Sequence, residues 1–226
     1  MDARASGPVT QAFFERLLAA TEGSRQEFLA TAAIVRGMRG EISRESYIAF
    51  LTQAYHHVKH TVPLLMACGS ALPERLEWLR AAVGEYIEEE MGHQEWILND
   101  IAACGGDSEA VRRGTPHVST EVMVAYAYDT IRRNNPVGFF GMVFVLEGTS
   151  IRLATDAAQA IQGALGLPGK AFSYLRSHGS LDIKHMAQFS GLMNRLDDES
   201  DRRAVVHCAN VFYHLYGDVF RGLPLD

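Results

Sequence analysis

Three side chains, His178, Asp182 and His185, stand at spacings that bring them together only on an α-helix. At roughly 100° per residue, offsets of four and seven place all three within about 60° of one face. Two imidazoles and a carboxylate on one stripe suit a first-row metal of intermediate hardness, iron or manganese. The competing reading is a polar surface stripe with a helix cap at Ser180, which leaves the shared face unexplained. A second unit, Glu90-Met91-Gly92-His93, has a carboxylate and an imidazole three apart. It is expected mid-helix, between Trp78, Val83 and Ile87 on one side and Trp96, Ile97 and Ile101 on the other. An i, i+3 Glu/His pair is the unit from which di-iron bundles are made. One or two of Glu88, Glu89 and Glu90 are expected to be a solvated acidic run. Nine histidines and 27 acids in 226 residues give about one acid-x-x-His pair by chance, so context rather than count carries the argument.

Between the two sets lies Glu147, inside the apolar stretch Phe139-Phe140-Gly141-Met142-Val143-Phe144-Val145-Leu146. A carboxylate there is costly unless a cation or donor meets it. The cation is a metal, or else a tyrosine or an arginine such as Arg152 satisfies the acid. His207 and His214 also stand seven apart, but with no carboxylate on their face they read as ordinary core or surface histidines.

The pattern is helical almost throughout, with no β-alternation and no internal repeat. Ser24 with Glu27 reads as a capping box for a helix ending near Gly40. Ser43 starts a segment to Gly69, bent at Pro63, and Pro73 opens one ending at Gly105-Gly106. Further helices are expected from about Thr120 to Arg133, from Asn135-Pro136 to before Gly166, through the histidine set to about Leu196, and from Asp201 to Arg221. The chain is expected to form a single all-α domain over residues 1–226.

A net charge of −6 and the lack of a basic run argue against nucleic acid or an anionic membrane as partner. The first ten residues lack the apolar core of a signal peptide, and no apolar run approaches the ~18 residues of a spanning helix. A soluble cytoplasmic protein is the expectation. Cys68, Cys104 and Cys208 form no CxxC and read as reduced, mostly buried thiols.

Glu90-Met-Gly-His93, the isolated Glu147 and His178-Gly-Ser-Leu-Asp182-Ile-Lys-His185 together resemble the haem-oxygenase-like di-iron oxidases and oxygenases. That family shares a superfamily with thiaminase-type proteins and pyrroloquinoline-quinone synthase. The resemblance covers roughly residues 43 to 220. It implies a compact all-α bundle of about seven helices with an internal metal site, often as a homodimer. It also implies two Fe(II) ions, weakly held, with O₂ activated to oxidise a small molecule such as a fatty acid, amino acid or amine. Where the branch that builds p-aminobenzoate from its own tyrosine carries a lysine and a tyrosine, this chain has Ala157 and Leu146, so that activity is not implied.

The family's first core helix commonly supplies a glutamate, but here the stretch reads Tyr55-His56-His57-Val58-Lys59-His60. With Leu51, Ala54, Tyr55, Val58 and Val62 as the buried stripe, His60 lies nearly opposite it and His56 about 140° from its centre. His57 lies about 120° away on the other flank, beside Ala54, Thr61 and Phe50, and can reach inward from the stripe's edge. It also stands 36 residues before His93, close to where the family's glutamate falls. His57 is the expected seventh ligand, against the alternative of a helix-surface histidine. Phe139, Phe140, Met142 and Phe144 are candidates for an apolar pocket, with core packing the rival role. The competing functions are a metal-free thiaminase-type hydrolase, which needs an activated cysteine, and a non-catalytic binding protein. A ferritin-like bundle, the nearest alternative fold, would normally use two Glu-x-x-His units.

Overall fold

The structure, a computed structural model, describes residues 12–225, and for 179–184 the backbone alone. Among the described residues the regular elements are twelve α-helices and three short 3-10 turns. The first helices are α1 (Phe13–Ala20), α2 (Glu22–Leu29), α3 (Ala32–Met38), α4 (Arg44–Val58) and α5 (Thr61–Ala71). Next come α6 (Glu77–Glu90), α7 (His93–Ala103), α8 (Ser108–Arg113) and α9 (Val118–Arg133). The last three are the long ones, α10 (Phe140–Leu165), α11 (Ser173–Arg195) and α12 (Glu199–Arg221).

The all-α expectation holds, but about seven rods become twelve helices, because three of them break and two short helices, α1 and α8, lie outside the expected segments. The segment after Ser43 divides at Lys59-His60 into α4 and α5, and the one after Pro73 divides at Met91-Gly92 into α6 and α7. The segment expected to end near Gly40 divides at Ala30-Thr31. Ser24 is therefore inside α2 rather than capping a helix, and its hydroxyl bonds Asn210 Oδ1 of α12 at 2.6 Å. Ser43 does cap α4, its Oγ accepting from Ser46 N at 3.0 Å. Asp198 caps α12 in the same way, accepting from Ser200 N at 2.7 Å, and each cap satisfies an otherwise orphaned amide.

At the centre of the bundle α10 packs against α11 and α12. Gly141 makes the second contact possible, because a Cβ there would stand 2.5 Å from Ala209 N and 2.7 Å from Val205 O. The stretch Pro136–Leu165 is long and apolar enough to cross a membrane by length and composition, which a search for uninterrupted apolar runs passes over. Here 56% of its most apolar window is buried inside the protein, so it serves as a core helix.

The helix bearing the histidine set is anchored by a buried acid. Asp100 of α7 accepts from Ser173 N at 3.0 Å, Ser173 Oγ at 2.5 Å and Tyr174 N at 2.9 Å, all at the start of α11. Four N–H groups at a helix start have no partner within the helix. Asp100 supplies acceptors for two of them and a negative charge at the positive end of the helix dipole.

Candidate metal centre

Glu90 is the last residue of α6 and His93 the first of α7, so the expected mid-helix pair in fact straddles a break. Between them Gly92 takes φ +93°, a left-handed conformation that favours glycine. The turn brings Glu90 Oε2 to 3.0 Å from His93 Nδ1, with the two side chains only 11% and 5% exposed. His178 of α11 approaches from the other side, its ring centroid 5.1 Å from that of His93. One ligand atom from each of Glu90, His93 and His178 lies within 4.8 Å of the other two. His93 stacks on Trp96 at 4.0 Å. His178 Nδ1–H donates to the Tyr174 carbonyl at 3.0 Å, which leaves Nε2 with its lone pair. A backbone carbonyl holding the second ring nitrogen is how proteins fix the tautomer of a metal-ligating histidine. Burial by itself would raise the Glu90 carboxyl. The His93 hydrogen bond and the charges of His93, His178 and His185 outweigh it, and Glu90 stays below the usual carboxylate range.

Glu147 and His185 form the adjoining cluster. His185 is 2% exposed, with Nδ1 3.8 Å from Glu147 Oε1 and Nε2 3.0 Å from Glu89 Oε2. Arg152 does not meet Glu147: it is exposed and turns to a separate cleft beside Phe144 and Met186. The Asp182 side chain lies outside the described residues. Glu89, one of three consecutive acids in the sequence, is the one that meets His185. Only a neighbouring helix could mark it, because Glu88, Glu89 and Glu90 are consecutive acids on α6 with no apolar signal between them.

His57 points into the interior, 2% exposed, with its ring 5.7 Å from Tyr216. Its Nδ1 is buried without a hydrogen-bond partner. Burial, then the charges of His178, His60 and His56, hold its pKa down to about 3, so the ring is neutral and its lone pair free at neutral pH. His56 is also buried, contrary to its predicted place away from the stripe, because α4 is enclosed on nearly all sides from Gln53 to Val58. It faces Lys59, 3.3 Å from its Nδ1, and not the cavity. His60 is half-buried, 3.3 Å from the Tyr128 hydroxyl. His207 and His214 are exposed.

His57, Tyr86, Glu90, Glu147 and His178 all line one cavity of about 170 Å³. Most of its remaining wall is apolar, including Val58, Leu64, Leu65, Val143 and Leu153. Phe139 and Met142 line it, as do Leu146 and Ala157, whereas Phe140 and Phe144 pack against Phe189 in the core. None of the three cysteines lines it. Glu90, His93 and His178 within ligand distance of one another, with the His178 tautomer set by a carbonyl and His57 bearing an unpartnered ring nitrogen on the same cavity as Glu90 and His178, fit a divalent metal of the iron or manganese type.

A sequence profile of the iron-containing redox enzymes matches residues 48–217, three quarters of the chain. The chain belongs to that family. Among solved structures, a domain of unknown function with a heme oxygenase-like fold from Shewanella denitrificans is 24% identical, with a TM-score of 0.82 over 92% of this chain and 90% of that one. A TenA homologue from Pseudomonas syringae is 12% identical, with a TM-score of 0.76 over 99% and 100% of the two chains. Heme oxygenase-1 from the cyanobacterium Synechocystis, in complex with heme, is 13% identical, with a TM-score of 0.71 over 92% and 91%. These likenesses establish the haem-oxygenase-like fold. No curated protein matches the sequence.

Proposed function

We propose that this member of the iron-containing redox enzymes is an Fe(II)- and O₂-dependent oxidase or oxygenase of a small organic molecule. In this reading two non-haem metal ions, iron with manganese also compatible, are held by Glu90, His93, Glu147, His178, Asp182, His185 and His57. The observation that carries it is the grouping of Glu90, His93 and His178 from α6, α7 and α11, with ligand atoms within 4.8 Å of one another and Glu90 and His178 lining the cavity. Bound iron would pass electrons to O₂ and recover them from the substrate, which is thereby oxidised.

The chain's own residues do the rest. Glu90 stays ionised despite its burial, so a negative donor is ready for a cation at neutral pH. His57 stays neutral, as a ligand must. Tyr174 fixes the ring of His178 through its carbonyl. The apolar wall keeps water from the site and strengthens every charge interaction within it. No lysine or arginine among the described residues lines the cavity, so nothing there pairs with an anionic substrate except a metal.

The rival hydrolase reading meets a physical objection. A thiaminase-type hydrolase needs an activated thiol, but all three cysteines are buried away from the cavity. Burial pushes Cys68 up to about 12 and Cys104 up to about 11.

The test is anaerobic titration with Fe(II), followed by O₂ uptake. Two ions per chain are expected, with occupancy lost in Glu147→Ala and Asp182→Ala. Parent-like iron binding in both variants, or tightly bound stoichiometric zinc in every preparation, would overturn the assignment.

A further inference from the structure

The wall of the cavity is helical almost throughout. Among the described lining residues only Ile42 and the segment Leu223-Pro224-Leu225 stand outside a helix or 3-10 turn. Pro224 is also the only one of them that is exposed, so this segment stands between the cavity and solvent. Moving any helical part of the wall would break a run of backbone hydrogen bonds. Moving residues 223–225 would break few, and local opening follows the least-bonded segment.

The two non-helical pieces are held very differently. Ile42 belongs to the loop after α3, which is fixed at several points. Gly40, at φ +69°, packs so closely on α10 that a Cβ would stand 2.7 Å from Ala160 O and 3.0 Å from Ala164 Cβ. Glu41 is held twice by Arg36, its N–H donating to Arg36 O at 2.8 Å and its carbonyl accepting from Arg36 Nε at 2.9 Å. Residues 223–225 have much less. Leu223 N donates to Phe220 O of the preceding helix at 3.2 Å, and Pro224 has no N–H to give. Among the described residues, their one hydrogen bond to another part of the fold runs from Arg36 Nη1 to the Leu225 carbonyl. Beyond that bond, the buried side chain of Leu223 seats the segment. One guanidinium thus braces the fixed loop through Nε and holds the looser segment to it through Nη1, a double contact that the planar fork of arginine permits.

We propose that residues 223–225 are the gate of the cavity, that small molecules enter and leave between this segment and Ile42, and that Arg36 is the latch. Opening requires one hydrogen bond to break and Leu223 to leave its seat, while the surrounding helices stay packed. Closing shuts water out of the cavity once a molecule is inside, the usual work of a mobile segment over a buried site. The gate does not require a metal.

The experiment places a thiol inside the cavity and times its alkylation. Ala157 lines the cavity on α10, whereas Cys68, Cys104 and Cys208 do not. In metal-free Ala157→Cys protein, iodoacetamide should modify the introduced thiol slowly, because each reaction waits for the gate. Peptide mass spectrometry locates the label. Adding Arg36→Ala should speed this reaction about tenfold or more, as the loss of one hydrogen bond to a charged group implies. Arg36→Lys, which keeps the charge but not the fork, should fall between the two. Leu223→Ala, which keeps the latch and removes the side chain that seats the segment, should also speed it, so the test survives if Arg36→Ala fails to fold. Cys68 serves as the internal control and should stay unlabelled throughout. Fast labelling of the introduced thiol with Arg36 and Leu223 intact, an unchanged rate in Arg36→Ala and Leu223→Ala, or an equal rise at Cys68 would overturn the proposal. The expected pattern in a protein that binds no iron would leave the gate standing and sink the metal reading instead.

Discussion

Glu90 Oε2 lies 3.0 Å from His93 Nδ1 although the two residues belong to different helices. In a continuous helix an i, i+3 pair shares one face because of the regular turn. Here the pair meets because Gly92, at φ +93°, interrupts the helix between α6 and α7, and His178 stands beside His93.

Gly92→Ala isolates that backbone effect, since an added Cβ has nothing within 4 Å. The left-handed conformation should then cost about 1–2 kcal/mol for an L-residue. Thermal unfolding should show that loss, and an Fe(II) titration should show weakened binding as Glu90 and His93 separate. An unchanged iron affinity would mean that the pair does not depend on this turn.

Asp100→Ala removes the acceptor shared by Ser173 N, Ser173 Oγ and Tyr174 N. Leaving buried donors unsatisfied costs about 1–3 kcal/mol, and the start of α11 should fray. Hydrogen exchange should speed up at Ser173 and Tyr174 first. Because Tyr174 O also holds the His178 ring, iron binding should weaken too. Asp100→Asn, which keeps an acceptor, should recover part of both effects.

The cysteines give a pH prediction. Burial favours the neutral thiol, so each group stays protonated as pH rises through the ordinary thiol range. Cys68 ionises only near about 12 and Cys104 near about 11. Native protein should therefore resist iodoacetamide from neutral to mildly alkaline pH and react only on unfolding. Rapid alkylation of one cysteine in the folded protein, with loss of activity, would revive the hydrolase reading.

Gly141→Val should be severely destabilising. Its Cβ would stand 2.5 Å from Ala209 N, a backbone atom of α12 that cannot swing aside. Overpacking of this kind costs about 1–3 kcal/mol and sometimes more. Denaturant melts should show the loss, whereas Gly84→Ala, whose Cβ would meet nothing within 4 Å, should leave stability unchanged or slightly raised.

The helical class and the cap at Ser43 were legible from periodicity and residue type, because each depends on local rules of 3.6 residues per turn and side-chain donors, whereas the burial of His56 beside His57 was not. Those rules also singled out Glu90, His93, Glu147, His178 and His185, all of which the fold brings to one region; the Asp182 side chain lies outside the described residues. They could not separate Gly92, which breaks a helix, from Gly84 and Gly148, which sit inside α6 and α10. Nor could they show that Glu89 meets His185, that Arg152 turns away from Glu147, or that Leu223 and Leu225 line the same cavity as α10. Periodicity gives the direction in which a side chain leaves its own helix. What waits there belongs to another helix distant in sequence, and only the packed tertiary structure decides it.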